Sequence, residues 1–269
     1  MDSVVRVVRK TRPRCLAVVC VALSLAVVAG VPARASARDR AMAWSIVPSP
    51  NEAGSDWLLA VDASAGDNAW SVGFYVGPEG VYETLAERWD GSAWAVVETP
   101  NVGSFGDWLN GVTVVSASEA WAVGYTAGEP DTYTSTTLIE HWTGSAWSVV
   151  PSPNPSKDPL YGANQLDDVR AFAPNDVWAA GWQWTPIGSA PLIERWNGRS
   201  WKVSPTPDDE FRELRALDGT SSSDIWAVGD ALSISDGYQS MVMHGTVRPG
   251  PSSPPRSFRS TTTSTTSRW

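Results

Sequence analysis

The chain has little of what reactive or cross-linked proteins rely on. Of its 269 residues only two are Cys and two are His, and charged residues make up 18%. Both cysteines, Cys15 and Cys20, lie in an N-terminal segment expected to be removed. The remainder would then hold no thiol, no disulfide and no cysteine-based metal site, so packing alone must stabilise it. A Gly-rich phosphate loop is absent. Outside residues 15–31 no window shows a convincing 3.6-residue apolar period, which argues against helices. Basic charge is scarce where it would matter: residues 38–244 carry 10 Lys and Arg against 28 Asp and Glu, a net of −18. So acidic a surface repels phosphate, which excludes nucleic acid and anionic lipid as natural partners.

The N-terminus has a basic head (Arg6, Arg9, Lys10, Arg12, Arg14), the apolar run Cys15–Val31, and the small-residue exit Ala35-Ser36-Ala37. This order defines a secretory signal peptide over residues 1–37, followed by a short linker, 38–42. The expected address is extracellular, with no membrane attachment after cleavage. A single membrane anchor is the competing reading of the same run.

Tryptophan is the abundant residue, with 16 copies, and its spacing is regular. The tetrapeptides Trp70-Ser-Val-Gly73, Trp121-Ala-Val-Gly124, Trp178-Ala-Ala-Gly181 and Trp226-Ala-Val-Gly229 recur at intervals of 51, 57 and 48 residues. Twelve residues before each Trp stands Leu58, Leu109, Leu166 or Leu214, and nine before stands Val61, Val112, Val169 or Leu217. A second signature follows: Leu85-Ala-Glu-Arg-Trp-Asp-Gly-Ser-Ala-Trp94, Leu138-Ile-Glu-His-Trp-Thr-Gly-Ser-Ala-Trp147 and Leu192-Ile-Glu-Arg-Trp-Asn-Gly-Arg-Ser-Trp201. Each unit reads as four short strands, the last two joined at Asp90-Gly91, Thr143-Gly144 or Asn197-Gly198, where a tight hairpin needs positive φ.

Four antiparallel strands per unit of about 50 residues predict an all-β chain, a β-propeller whose blades bury each other's faces. About four blades are visible, at 52–104, 105–157, 158–208 and 209–244. The tryptophans are expected to fill the wedges between them. Ala43-Trp44-Ser45-Ile46-Val47-Pro48 matches the fourth strand of a unit, so this segment, 43–48, is expected to complete the last blade. The fourth blade stops matching after His244, where Gly245 stands in place of a Trp. One inserted nucleotide after the His244 codon, with freely chosen GC-rich codons, restores His-Trp-Asp-Gly-Ser-Ala-Trp. Residues 245–269 are therefore expected to be a disordered, frame-shifted tail on a chain truncated at its C-terminus; a Ser/Thr/Pro-rich linker is the alternative.

The Trp-x-Val-Gly and Glu-Arg-Trp-Asp-Gly-Ser-Ala-Trp patterns, over residues 43–244, resemble the Trp-rich repeats of secreted bacterial proteins akin to kelch and galactose-oxidase-type propellers. The resemblance implies the fold and not a chemistry. Kelch blades carry a Gly-Gly doublet that is missing here, and a copper site of the galactose-oxidase type needs a Cys that the exported chain lacks.

No catalytic residue and no metal ligand set stands out, and no cofactor is expected. His141 and His244 occupy the register of Arg88 and Arg195 and are expected to point away from the Trp face. Glu87, Glu140 and Glu194 repeat with the blade, which marks them as structural, in the reach of neighbouring arginines. The loops between second and third strands vary most. With the loops before each first strand they are expected to gather aromatic rings at one end. From these, Tyr75, Trp108, Tyr125, Tyr133, Trp184 and Tyr238 are the candidate ligand-binding residues. Rings amid acids and amides suit sugar stacking, and the acidic rim is also compatible with Ca²⁺. The function expected is a secreted, non-catalytic binding module for a carbohydrate or extracellular protein. A carbohydrate-active hydrolase or lyase is the alternative, and a truncated product without function a third.

Overall fold

The computed structural model describes residues 43–52, 54–207, 211–233 and 235–246. The chain divides into two compact units, Met1–Ser45 and Ile46–Trp269. In the first, only Ala43–Ser45 are described; they are irregular and exposed. The expected leader lies outside the described residues, as does the tail beyond Thr246.

The second unit holds fifteen strands and, among the described residues, no helix. Blade one comprises β1 (Asp56–Ala65), β2 (Asn68–Val76), β3 (Tyr82–Trp89) and β4 (Trp94–Val96). Blade two comprises β5 (Asp107–Ser116), β6 (Glu119–Ala127), β7 (Ser135–Trp142) and β8 (Trp147–Val149). Blade three comprises β9 (Asn164–Ala173), β10 (Asp176–Thr185), β11 (Gly188–Trp196) and β12 (Trp201–Val203). Blade four has β13 (Arg212–Ser221), β14 (Asp224–Ser233) and β15 (Gly237–Thr246). All neighbours are antiparallel and in chain order, and the first strand of each blade packs on the first strand of the next. This is the blade arrangement of a β-propeller. The outer hairpins turn as their sequence requires: Gly91, Gly144 and Gly198 have φ of 96°, 91° and 87°.

Two expectations at the ends are corrected. The segment 43–48 forms no strand: residues 43–50 are irregular, with Trp44 and Ile46 almost fully exposed, and the fourth sheet consists of three strands. A strand needs an edge to pair with, and none is engaged here. At the other end, β15 continues through Gly245 and Thr246, because backbone pairing to Ile225 and Asp224 does not depend on the missing Trp.

Indoles hold the blades together. Trp70 of β2 reaches across the first seam to Trp142 and Trp147, with ring centroids 4.9 Å apart in both cases. Trp121 of β6 repeats this at the second seam with Trp196 (5.1 Å) and Trp201 (5.5 Å). Both are sealed, as are Trp142, Trp147 and Trp201. Removing ~200 Å² per indole from water contributes on the order of 5 kcal/mol before entropy is subtracted. Each signature Trp also has a lid from the neighbouring third strand: Arg88 over Trp70, His141 stacked on Trp121 at 4.0 Å, Arg195 over Trp178 at 5.0 Å, and His244 stacked on Trp226 at 3.8 Å. The two histidines thus lie against the signature Trp, not away from it, because each is its direct cross-strand partner. Side-chain clasps add to the seams. Asp62 accepts a bond from the Val114 N–H (2.7 Å), and Thr113 accepts one from the Ala171 N–H (3.2 Å).

Filling falls off along the chain. Trp178 meets no other ring in the third seam among the described residues, and Trp226, on the uncovered face of blade four, is 48% exposed. Trp121→Ala is therefore expected to cost about 3–5 kcal/mol of single-chain stability, and Trp226→Ala under about 1 kcal/mol. Denaturant unfolding of both variants checks this, and equal losses would contradict the seam assignment.

Candidate functional site

The site begins with a repeated irregularity. In every blade the pairing of first and second strands slips by one residue, between Leu58 and Ala60, Leu109 and Gly111, Leu166 and Asp168, and Leu214 and Ala216. The bulged residues are Leu59, Asn110, Asp167 and Arg215. A bulge re-aims a side chain, and here it sets these four positions beside one another along the adjacent first strands. The Gly of the Trp-x-Val-Gly signature makes the bulge possible. A Cβ on Gly73, Gly124, Gly181 or Gly229 would stand 1.8–2.1 Å from the carbonyl oxygen of Trp57, Trp108, Gln165 or Glu213.

Those four carbonyl-bearing residues form a rim at one end of the blades with their cross-strand partners: Trp57 with Phe74, Trp108 with Tyr125, Gln165 with Trp182, and Glu213 with Asp230. Half of this rim is aromatic. Trp57 stacks on Phe74 (4.9 Å), Phe74 meets Tyr82 (5.5 Å), Tyr82 meets Trp108 (5.1 Å), and Trp108 lies parallel to Tyr125 (4.7 Å, 9°). Trp57 and Tyr82 expose about two fifths of their surface, so the strip presents rings to solvent.

The other half is charged. Asp167 accepts from Gln165 (2.7 Å), from Asn110 (3.3 Å) and from Arg215 (3.2 Å). Arg215 also donates to Asp230 (3.1 Å) and to Glu213. One guanidinium thus faces three carboxylates, leaving a net charge of −2 when all are ionised. Burial pushes the Asp167 carboxyl up, with Gln165 and Arg215 opposing that shift. Burial also raises the Tyr125 phenol, and the charge of Asp167 adds to it, which ties the aromatic half to the acidic half.

Among the candidate residues, the structure brings Trp108 and Tyr125 together in the strip. Tyr75 lies elsewhere: its phenol donates to Glu83 (2.5 Å) in a polar cavity of about 460 Å³ that Glu52, Glu98 and Asn101 also line. That bond, with burial behind it, pushes the phenol up to about 12. Tyr133 stacks on Tyr161 at 5.8 Å. Trp184 and Tyr238 are exposed on β10 and β15 without a ring partner among the described residues. Sequence reasoning missed Asn110, Asp167 and Arg215. The available signal was variability in a fixed frame: the residue after the invariant Leu changes from blade to blade while that Leu does not.

Glu87, Glu140 and Glu194 take no part in this site. All three are sealed from solvent, and the expected pairing with arginine is absent: both carboxyl oxygens of Glu140 and Glu194 and one of Glu87 lack a hydrogen-bond partner. Burial raises each of them, Glu194 to about 8. Among the described residues no group of three or more His, Cys, Asp or Glu is placed to hold a metal ion.

No family model matches the chain, and no curated protein matches it. Solved β-propeller structures do. YCF48 from Cyanidioschyzon merolae is 13% identical with a TM-score of 0.42, over 70% of this chain and 50% of that one. A protein of unknown function from Dyadobacter fermentans is 10% identical with a TM-score of 0.46, over 69% and 60%. An α-L-arabinanase from Penicillium chrysogenum, complexed with arabinobiose, is 11% identical with a TM-score of 0.46, over 70% and 62%. The chain spans about half to three fifths of the length of these structures.

Two outcomes follow. Gly124→Ala is expected to lower stability by about 1–3 kcal/mol or more, since backbone must move to admit the methyl group; a melting midpoint equal to that of the parent would refute the bulge argument. Glu194 binds its proton in the folded state up to a pH of about 8 but in the unfolded chain only to its ordinary range. The native state therefore holds more protons between these limits, and stability must fall as pH rises through that window. Relative to Glu194→Gln, the parent should lose thermal midpoint steadily from about pH 4.5 to pH 8 and then level off.

Proposed function

We propose that this β-propeller chain is a secreted, non-catalytic binding module that takes carbohydrate on the aromatic and acidic rim. The observation carrying the proposal is the continuous strip Trp57–Phe74–Tyr82–Trp108–Tyr125 beside the Asn110–Asp167–Arg215 cluster. Flat rings offer a surface to the C–H face of a sugar, while amide, carboxylate and guanidinium groups match its hydroxyls. The net negative charge of the cluster favours neutral or cationic sugars over uronates and sulfates. An extracellular protein that presents cationic side chains meets the same chemistry. Tyr133 with Tyr161, and Trp184, would extend the contact toward blade three.

Catalysis is disfavoured by the state of the acids. The buried glutamates cannot touch a substrate, and the rim carboxylates share one arginine, which holds Glu213 and Asp230 in ion pairs. One observation supports the hydrolase alternative: Asp167, raised by burial, shares Arg215 with two more exposed acids, Glu213 and Asp230, and glycosidases work with carboxylates set in unlike environments.

A polysaccharide pull-down and glycan array on the parent chain test the reading. Trp108→Ala and Tyr125→Ala should each weaken capture about two- to tenfold, the worth of one stacked ring. Full binding by both variants would sink the rim as the site. Turnover of chromogenic glycosides that vanishes in Asp167→Asn would establish the hydrolase instead.

A further inference from the structure

The third seam is incomplete in a way the first two are not. Where Trp142 and Trp147 receive Trp70, and Trp196 and Trp201 receive Trp121, the third seam offers Trp178 no ring among the described residues. On β15 the position equivalent to Trp142 and Trp196 is Gly245, paired with Ile225. A cavity of about 500 Å³ opens there, lined among others by Trp178, Ile193, Leu217, Ile225, Met243 and Gly245. Beside it, among the described residues, the fourth sheet ends at β15 and no strand pairs with its outer edge.

The chain also carries a spare part. Trp44-Ser-Ile-Val-Pro-Ser-Pro-Asn51 differs from Trp147-Ser-Val-Val-Pro-Ser-Pro-Asn154, whose first three residues form β8, only by Ile for Val. In blade two that segment pairs with β7 and puts its indole into the seam. The spare copy is in no strand and is exposed.

We propose that the edge of β15 and the cavity behind it accept residues 44–50 of a second copy of this chain as a fourth strand, with Trp44 filling the seam beside Trp178. Main-chain bonds to the free edge would supply affinity, and the indole cavity would supply specificity. A second copy fits better than the chain's own segment. Residues 51–55 lead directly into β1, and five extended residues span at most about 17 Å. Yet the outward faces of blades one and four are both open, with Val61 68% exposed and Val242 63%, so these faces do not cover each other. A strand donated by a partner brings that partner's first blade against the exposed Trp226. The face it presents holds Trp89 and Trp94, 5.7 Å apart, the counterpart of the pairs that receive Trp70 and Trp121. One exchange therefore fills the cavity, pairs the edge and covers both end faces. Reciprocated between two copies it closes a ring of eight blades, which ends the head-to-tail series.

The test uses the full chain with Cys15→Ser and Cys20→Ser, into which Ser45→Cys and His244→Cys are introduced. The pairing of His141 with Ser148 in blade two gives their register. On mild oxidation a disulfide between two chains is expected on non-reducing gels, and light scattering of the unmodified chain should give twice the single-chain mass. A disulfide within one chain, or none, would overturn the proposal. A measurement free of new cysteines is the mass of Trp44→Ala, expected to shift to the single chain with at least a tenfold weaker association; a mass unchanged from the parent would overturn it equally.

Discussion

Everything in this molecule depends on one directional contact: the indole of a second strand, Trp70 in blade one and Trp121 in blade two, enters a socket made by two indoles of the following blade. The contact is asymmetric. Each blade has a face that gives a Trp and a face that receives one, so blades can stack in only one order. Dispersion and water release dominate here, since the ring nitrogens of Trp70, Trp121, Trp147 and Trp201 have no acceptor, while Trp142 donates to the Ala117 carbonyl at 3.3 Å. Large planar groups suit a wedge that widens outward, because tilted rings fill it without fixed polar geometry. A propeller without disulfides must rely on such burial, and its stability then follows how completely each socket is filled.

The same frame produces the site. The signature Gly lets a first-strand carbonyl approach the second strand, the approach forces a bulge, and the bulge lines up one side chain per blade. Scaffold and rim are thus separated at the level of single residues. Leu, Trp and Gly are held constant by packing, while the bulged residue and the residue before the Leu lie outside the indole sockets and vary from blade to blade. That freedom gives Leu59, Asn110, Asp167 and Arg215, and with them a rim whose aromatic and charged halves belong to different blades.

What was legible in the sequence was what packing repeats. Strand number, blade order and hairpin glycines all follow from positions that recur because each seam imposes the same geometry. Less legible was whatever depends on one residue of slippage. Alternation along β5 or β9 gives no warning of a bulge, so Asn110 and Asp167 looked like ordinary strand residues. His141 faces opposite to expectation for a related reason: along its own strand it alternates with Trp142, while the ring it covers, Trp121, lies on the adjacent strand. Glu140 and Glu194 repeat, which suggested ion pairs, but repetition specifies a position and not a charge. As buried acids with raised proton affinity they behave as neutral groups, which removes the need for a cation beside them.

The distribution of acids also bears on what the rim can do. A general acid must stay protonated while open to a ligand, and this chain separates those two conditions. The protonated carboxyls are sealed inside the blades, and the more accessible ones surround Arg215. Asp167 alone lies between the two states, half withdrawn by burial and tied to four neighbours by hydrogen bonds and proximity. Such a group is better fixed than a proton carrier should be, since each transfer would break its bonds to Asn110, Gln165 and Arg215. A carboxylate held by three hydrogen bonds beside a ladder of rings, two of them exposed, is the arrangement on which the proposed recognition of a polyhydroxylated ligand rests.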